Sequence, residues 1–126
     1  MINHRLSKAS KVYEEIGTAE YTILAKALCS DIRITIERLV EKELLADIIQ
    51  RFRRPIHTQN KLEHLSKITI QDCKFIDEMM TKYSRYEHSQ PLEAPVALPT
   101  PDEIKEDLIK LKNWLEEFSS RKVPEE

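Results

Sequence analysis

The chain holds 126 residues with a formal net charge of -2, 40% hydrophobic and 33% charged. That length suits one domain and is short for two. A single glycine leaves almost nothing for hairpins, bulges or a phosphate-cradling loop, so a β-rich fold and a glycine-rich nucleotide site are excluded.

In chain order, a first short helix is expected from about Asn3 to Ile16. Its apolar side is Leu6, Ala9, Val12, Tyr13 and Ile16, with Gly17 at the C′ position. The next apolar pattern begins at Thr18 and persists to about Gln50. Tyr21, Leu24, Leu28, Ile32, Thr35, Ile36, Leu39 and Glu43 trace its main stripe, and Ile34, Val40, Leu44, Leu45, Ile48 and Ile49 widen it, while Glu37, Arg38, Glu41 and Lys42 supply charge on the polar face. A helix of about 30 residues spans roughly 45 Å, long for such a chain, so a kink or break is expected. Pro55 ends the stretch, because the residue before a proline is pushed out of the helical region.

A short third helix is expected over Gln59 to Ser66, with Leu62 and Leu65 inward. Thr69 and Asp72 then mark a helix start whose buried side is Cys73, Ile76, Met79, Met80 and Tyr83. Pro91, Pro95, Pro99 and Pro101 rule out a continuous helix from Ser89 to Pro101. Thr100-Pro101-Asp102-Glu103 reads as a capping box with proline at its first helical position. Ile104, Leu108, Leu111, Leu115 and Phe118 then recur at alternating spacings of four and three, with Trp114 beside them. Such a seam suits antiparallel packing at a shallow angle. From about Ser119 the chain turns polar and a frayed tail is expected. The expected fold is all-α: a four- to five-helix bundle over residues 1–126, with one long helix and a proline-rich loop before the last.

No apolar run approaches the roughly 18–20 residues a membrane span needs. Met1-Ile2-Asn3-His4-Arg5 leads into an amphipathic pattern rather than a signal sequence. A soluble, cytoplasmic protein with no membrane partner is expected. Cys29 and Cys73 both fall in apolar helical patterns and read as buried, reduced thiols. His57 and His64 lack further ligands at metal spacing, and no P-loop, dinucleotide-binding glycine motif, CxxC or HExxH occurs. No metal or cofactor is expected.

Three groups could carry function. Arg85 and His88 lie three apart, on one face of a helix end before the proline-rich loop. An imidazole moves protons near neutral pH and a guanidinium holds phosphate, a pairing suited to RNA cleavage. Those two residues capping helix carbonyls, or pairing with Glu87 and the last helix, is the structural alternative. Arg33 and Glu37 form an i, i+4 pair: a surface ion pair, or a buried support beside Arg85 and His88. Arg51, Arg53 and Arg54 are the one locally basic run. They either cap carbonyls at a helix end or contact nucleic acid or a partner.

Cys29-Ser30-Asp31-Ile32-Arg33 through Glu37, Leu44-Leu45, Arg51-Phe52-Arg53-Arg54, Asp72 and the run Tyr83 to Ser89 resemble the C-terminal helical region of large bacterial AAA/ABC-type ATPases with coiled-coil arms. Those are relatives of the RloC and PrrC anticodon-nuclease group and of phage-defence ATPases. Leu98 through Trp114 looks like the last helix of such proteins. The resemblance spans roughly residues 20 to 120. It implies a non-catalytic interaction or assembly domain that works with an ATPase elsewhere, or is a piece of one, and binds a protein partner, itself or RNA. The same region resembles HEPN domains, helical bundles that often act as metal-independent RNases, as dimers. Their signature is an arginine followed four to six residues later by histidine. Here Arg85 and His88 enclose only two residues, which departs from it. A plain oligomerisation module, forming a homodimer, is a further expectation.

Overall fold

The all-α expectation holds in the computed structural model, which describes residues 5–9, 18–88 and 98–125, with the side chains of 18–20 and 86–88 outside that description. Residues 5–9 are helical. Helix α1 spans Thr18–Leu39 and continues as a π-helical turn over Val40–Leu44. A 3-10 helix covers Leu62–Lys67, α2 spans Ile70–His88 and α3 spans Pro101–Ser120. No strand occurs among the described residues, only an isolated bridge between Gln50 and Arg53. Pro91 and Pro95 of the expected loop lie outside the described residues, whereas Pro99 is fully buried.

The long helix stops sooner than its apolar pattern. The Leu45 amide donates to the Val40 carbonyl at 2.9 Å, five residues back, and Asp47 donates to Glu41 at 2.8 Å, six back. This widening is a π-type ending. Ala46 and Asp47 then take left-handed backbone, φ 50° and 60°. Two consecutive non-glycine residues there are strained, and contacts further along must hold them.

α2 begins as the sequence predicts. The Thr69 hydroxyl accepts from the Asp72 amide at 3.2 Å and the Asp72 carboxylate accepts from the Thr69 amide at 2.7 Å, a reciprocal capping box. At α3 only half of the expected box forms. Thr100 accepts from the Glu103 amide at 3.2 Å, but the Glu103 carboxylate turns to Lys82 instead, at 2.7 Å.

Those contacts also give the topology. α2 and α3 are antiparallel: Lys82 meets Glu103 and Asp107 at one end, while Trp114 and Arg121 meet Asp72 at the other. α1 is antiparallel to α2. Its C-terminal end meets the 3-10 helix where His64 Nε2 lies 2.7 Å from the Glu43 carbonyl, and Cys29 lies beside Tyr83. The Tyr21 hydroxyl donates to the Pro99 carbonyl, tying the start of α1 to the start of α3. The shared core contains Leu28, Ile32 and Ile36 from α1, Ile76, Met79 and Tyr83 from α2, and Ile104 and Leu111 from α3. Leu6 of the first helical segment joins it, and Arg5 pairs with Asp31 at 2.6 Å.

Four expectations about packing need correction. Ile34 and Ile49 do not widen the buried stripe but are exposed, because Ile34 lies half a turn round from buried Ala25 and Ile49 falls past the left-handed pair that ends the helix. Cys29 is buried but Cys73 is exposed, because the Asp72 position takes the inward place one residue earlier. Leu62, at the first residue of the 3-10 helix, is exposed, whereas Leu65 one turn on is half-buried and Lys67 is buried. Arg121, in the expected polar tail, is tied to Asp72 and to the Lys67 carbonyl, at 2.7 and 2.6 Å.

A charged position also sits in the α3 seam. Asp107 is buried and accepts from the Tyr83 hydroxyl at 2.6 Å and from Lys82 at 2.7 Å. Burial and then the Asp107 carboxylate push the Tyr83 phenol far above its ordinary range, so it stays a donor. Burial works against the Lys82 ammonium, but Asp107 and Glu103 outweigh it and hold it charged. Tyr83→Phe is expected to lose about 2 kcal/mol in urea denaturation, the worth of a hydrogen bond to a charged acceptor.

Candidate docking surface

The left-handed pair at Ala46 and Asp47 turns the chain back across the end of α1. The His57 amide donates to the Ile48 carbonyl at 2.9 Å, and the Arg53 amide to Gln50 at 3.1 Å. Gln50 to Arg53 is therefore a β-turn, with Arg51 and Phe52 at its two central positions. Phe52 is 95% exposed. A large apolar side chain left in water at the tip of a turn contributes nothing to the core.

Two arginines fix that turn from either side. The Arg51 guanidinium donates to Glu37, and the Arg51 amide donates to Glu41 Oε1 at 3.0 Å. Glu37 lies in the last turn of α1 and Glu41 in the π-helical turn that continues it, so the Gln50–Arg53 turn is fastened to this helix at two points. The hydrogen bond to Glu37 and that carboxylate's charge hold the Arg51 pKa above its already high ordinary value. On the other side Arg53 donates to the carbonyls of Asp47 and Ile48, the latter at 2.8 Å, and to Pro55 at 3.2 Å. These contacts tie Arg53 to carbonyls of the loop on both sides of the turn. Arg54 stands exposed beside them.

Between the turn and α1 runs a groove of about 270 Å³, lined by Ile34, Glu37, Arg38, Glu41, Arg51 and Phe52. Ile49 and Ile56, on the two arms of the loop, are also exposed. The surface thus combines an aromatic tip, aliphatic flanks and cations on a backbone held at both ends.

The residues singled out from sequence divide into separate places. Arg33 and Glu37 do form their ion pair, at 3.4 Å, but Glu37 is shared with Arg51. Arg85 is elsewhere. Tyr83 lies beside Cys29, and α1 and α2 are antiparallel, so Glu37 and Arg85 are offset by about 15 Å along the bundle. That offset separates Glu37 from Arg85. Arg85 is exposed in an open groove with Asp77, Glu78, Thr81 and Lys82. Two carboxylates beside it work against a phosphate ligand. The His88 side chain lies outside the described residues. Of the basic run, Arg53 bonds loop carbonyls past the helix end rather than those of the helix itself, Arg51 joins α1, and Arg54 is left at the surface.

Sequence reasoning missed Phe52, and it placed Ile34 on the apolar stripe and Arg38 on the polar face of the long helix without bringing them to one groove. The one signal for Phe52 is its place inside the Arg51–Arg54 run, which no apolar periodicity accounts for. Among the described residues no cluster of three His, Cys, Asp or Glu could hold a metal ion, and no helix is long and apolar enough to cross a membrane. No protein-family model, curated protein or solved structure matches the chain.

Proposed function

We propose that this chain is a non-catalytic helical interaction and assembly domain that docks a protein partner through the Gln50–Arg53 turn. The observation that carries the reading is Phe52, 95% exposed on a turn that Arg51 and Arg53 hold in place. Binding energy at protein interfaces concentrates in a few aromatic and arginine anchors. Holding such an anchor in place before contact removes an ordering cost that would otherwise weaken binding. The role fits the resemblance to the C-terminal region of cytoplasmic defence-type ATPases, where a helical domain works beside a separate motor.

The test is to place a photoreactive phenylalanine analogue at position 52 in cells of the source organism, with the same analogue at Ile109 as a control. Ile109 is an exposed residue on α3. A discrete protein adduct from position 52 alone is expected. Equal labelling from both positions, or none from position 52, would remove the reading.

A further inference from the structure

The outward side of α1 continues the docking surface away from the turn. Ile23, Ala27, Ser30 and Ile34 recur at spacings of four, three and four. At about 100° per residue they share one face. That face is opposite the core: Ile23 is nine residues from buried Ile32, and Ile34 nine from buried Ala25, each half a turn round. Ile23 is 72% and Ile34 46% exposed. The small Ala27 and Ser30 between them let another backbone come close. Phe52 overhangs the Ile34 end and closes the stripe.

The charges beside the stripe are unevenly matched. Its carboxylates are engaged within the chain: Asp31 by Arg5 at 2.6 Å, Glu37 by Arg33 and Arg51, and Glu41 by the Arg51 amide at 3.0 Å. Arg38, Lys42 and Arg54 are exposed and make no ion pair among the described residues. The unmatched charge on this surface is therefore positive.

Resting on the docking role proposed above, we infer that the occupant of this face is an acidic amphipathic helix of a partner protein. Its apolar side chains lie along Ile23 to Ile34 and against Phe52, and its carboxylates meet Arg38, Lys42 and Arg54. A helix presents apolar groups at the three- and four-residue spacing that matches the stripe. A second copy of this chain fits poorly, because a two-fold pairing centred on the groove sets these cations against one another. RNA also fits poorly, because the stripe from Ile23 to Ile34 is aliphatic and Phe52 is a single exposed ring, whereas single strands are held by bases stacked on successive rings.

The test uses two designed helical peptides, each about three heptads long, with leucines at the same spacing. One is flanked by glutamates and the other by lysines, and binding to the full chain is read by fluorescence anisotropy. The acidic peptide is expected to bind saturably, and about tenfold more weakly to Phe52→Ala and to Arg38→Glu; the basic peptide is expected not to bind. No saturable binding of the acidic peptide, equal binding of the two, or indifference to both substitutions overturns the inference. So does self-association in sedimentation, or binding of a single-stranded RNA, that Phe52→Ala abolishes. A protein adduct from position 52 without acidic-peptide binding would retain the docking face and discard the acidic helix.

Discussion

Asp72→Ala is expected to lower the unfolding free energy by about 3 kcal/mol, the lower end for breaking a buried ion pair. The carboxylate is buried and joins the start of α2 to α3 and to the residue that follows it. It accepts from Trp114 Nε1 at 3.0 Å, from Arg121 at 2.7 Å and from the Thr69 amide at 2.7 Å, while its own amide donates to the Thr69 hydroxyl. The loss stays at the lower end because Arg121 keeps Glu117 and the Lys67 carbonyl as partners. Urea denaturation of the two proteins checks the difference. The pH dependence follows from the same contacts. Burial by itself would raise the Asp72 pKa, but the hydrogen bonds from Arg121, Thr69 and Trp114 outweigh it and hold the value down to about 2, against 3.8 ordinarily. A depressed carboxylate contributes stability above its unfolded-state pKa and loses it as the folded form takes up a proton. The wild type is therefore expected to lose stability as pH falls from about 4 toward 2, and Asp72→Asn to lose less over that interval.

Phe118→Ala is expected to lose about 4 kcal/mol, toward the upper part of the range for truncating a buried aromatic. The ring is fully buried and contacted on every side. Trp114 stacks on it at 5.1 Å and His64 meets it edge-on at 5.6 Å. The Lys67 and Arg121 cations lie over it at 4.7 and 5.2 Å. Cations held near a ring face add to the area term. Removing the ring opens a cavity between the 3-10 helix and α3 and leaves the Lys67 ammonium, on a buried residue, without its ring. Phe118→Leu keeps most of the volume and is expected to lose only about 1–2 kcal/mol. Thermal and urea unfolding of both variants check the ordering.

The parts of the fold legible in the sequence are those where a local rule and the tertiary packing agree. Thr69 with Asp72, and Thr100 with Pro101, mark helix starts that form where their side chains predict. Ile76, Met79 and Tyr83, and Ile104, Leu111 and Phe118, bury as their spacing requires. The end of the long helix was not legible. No glycine or proline stands at 46 or 47, yet both residues adopt left-handed backbone. The force that holds them there comes from residues further along, chiefly Arg53 on the Asp47 and Ile48 carbonyls. Asp107 was hidden for a related reason. A charged residue in an apolar seam looks solvent-facing until Lys82 and Tyr83 are seen beside it.

The candidate site was legible in composition but not in arrangement. Arg51, Arg53 and Arg54 stood out as a basic run, and Arg33 with Glu37 as a pair. Their convergence depends on the turn that folds Arg51 back onto α1, which no periodicity encodes. Arg85 sat at a helix end as expected, but antiparallel packing separates it from Glu37. Phe52 carried no signal of its own, because an apolar residue in a basic run is neutral evidence until its exposure is known.

The central claim is that Phe52 is displayed for a partner rather than packed for stability, and the unfolding free energy of Phe52→Ala tests it most directly. The account predicts a value within about 0.5 kcal/mol of the wild type, as for a surface position. A loss on the scale expected for Phe118→Ala would contradict it, since the ring would then belong to the core and not to a docking surface.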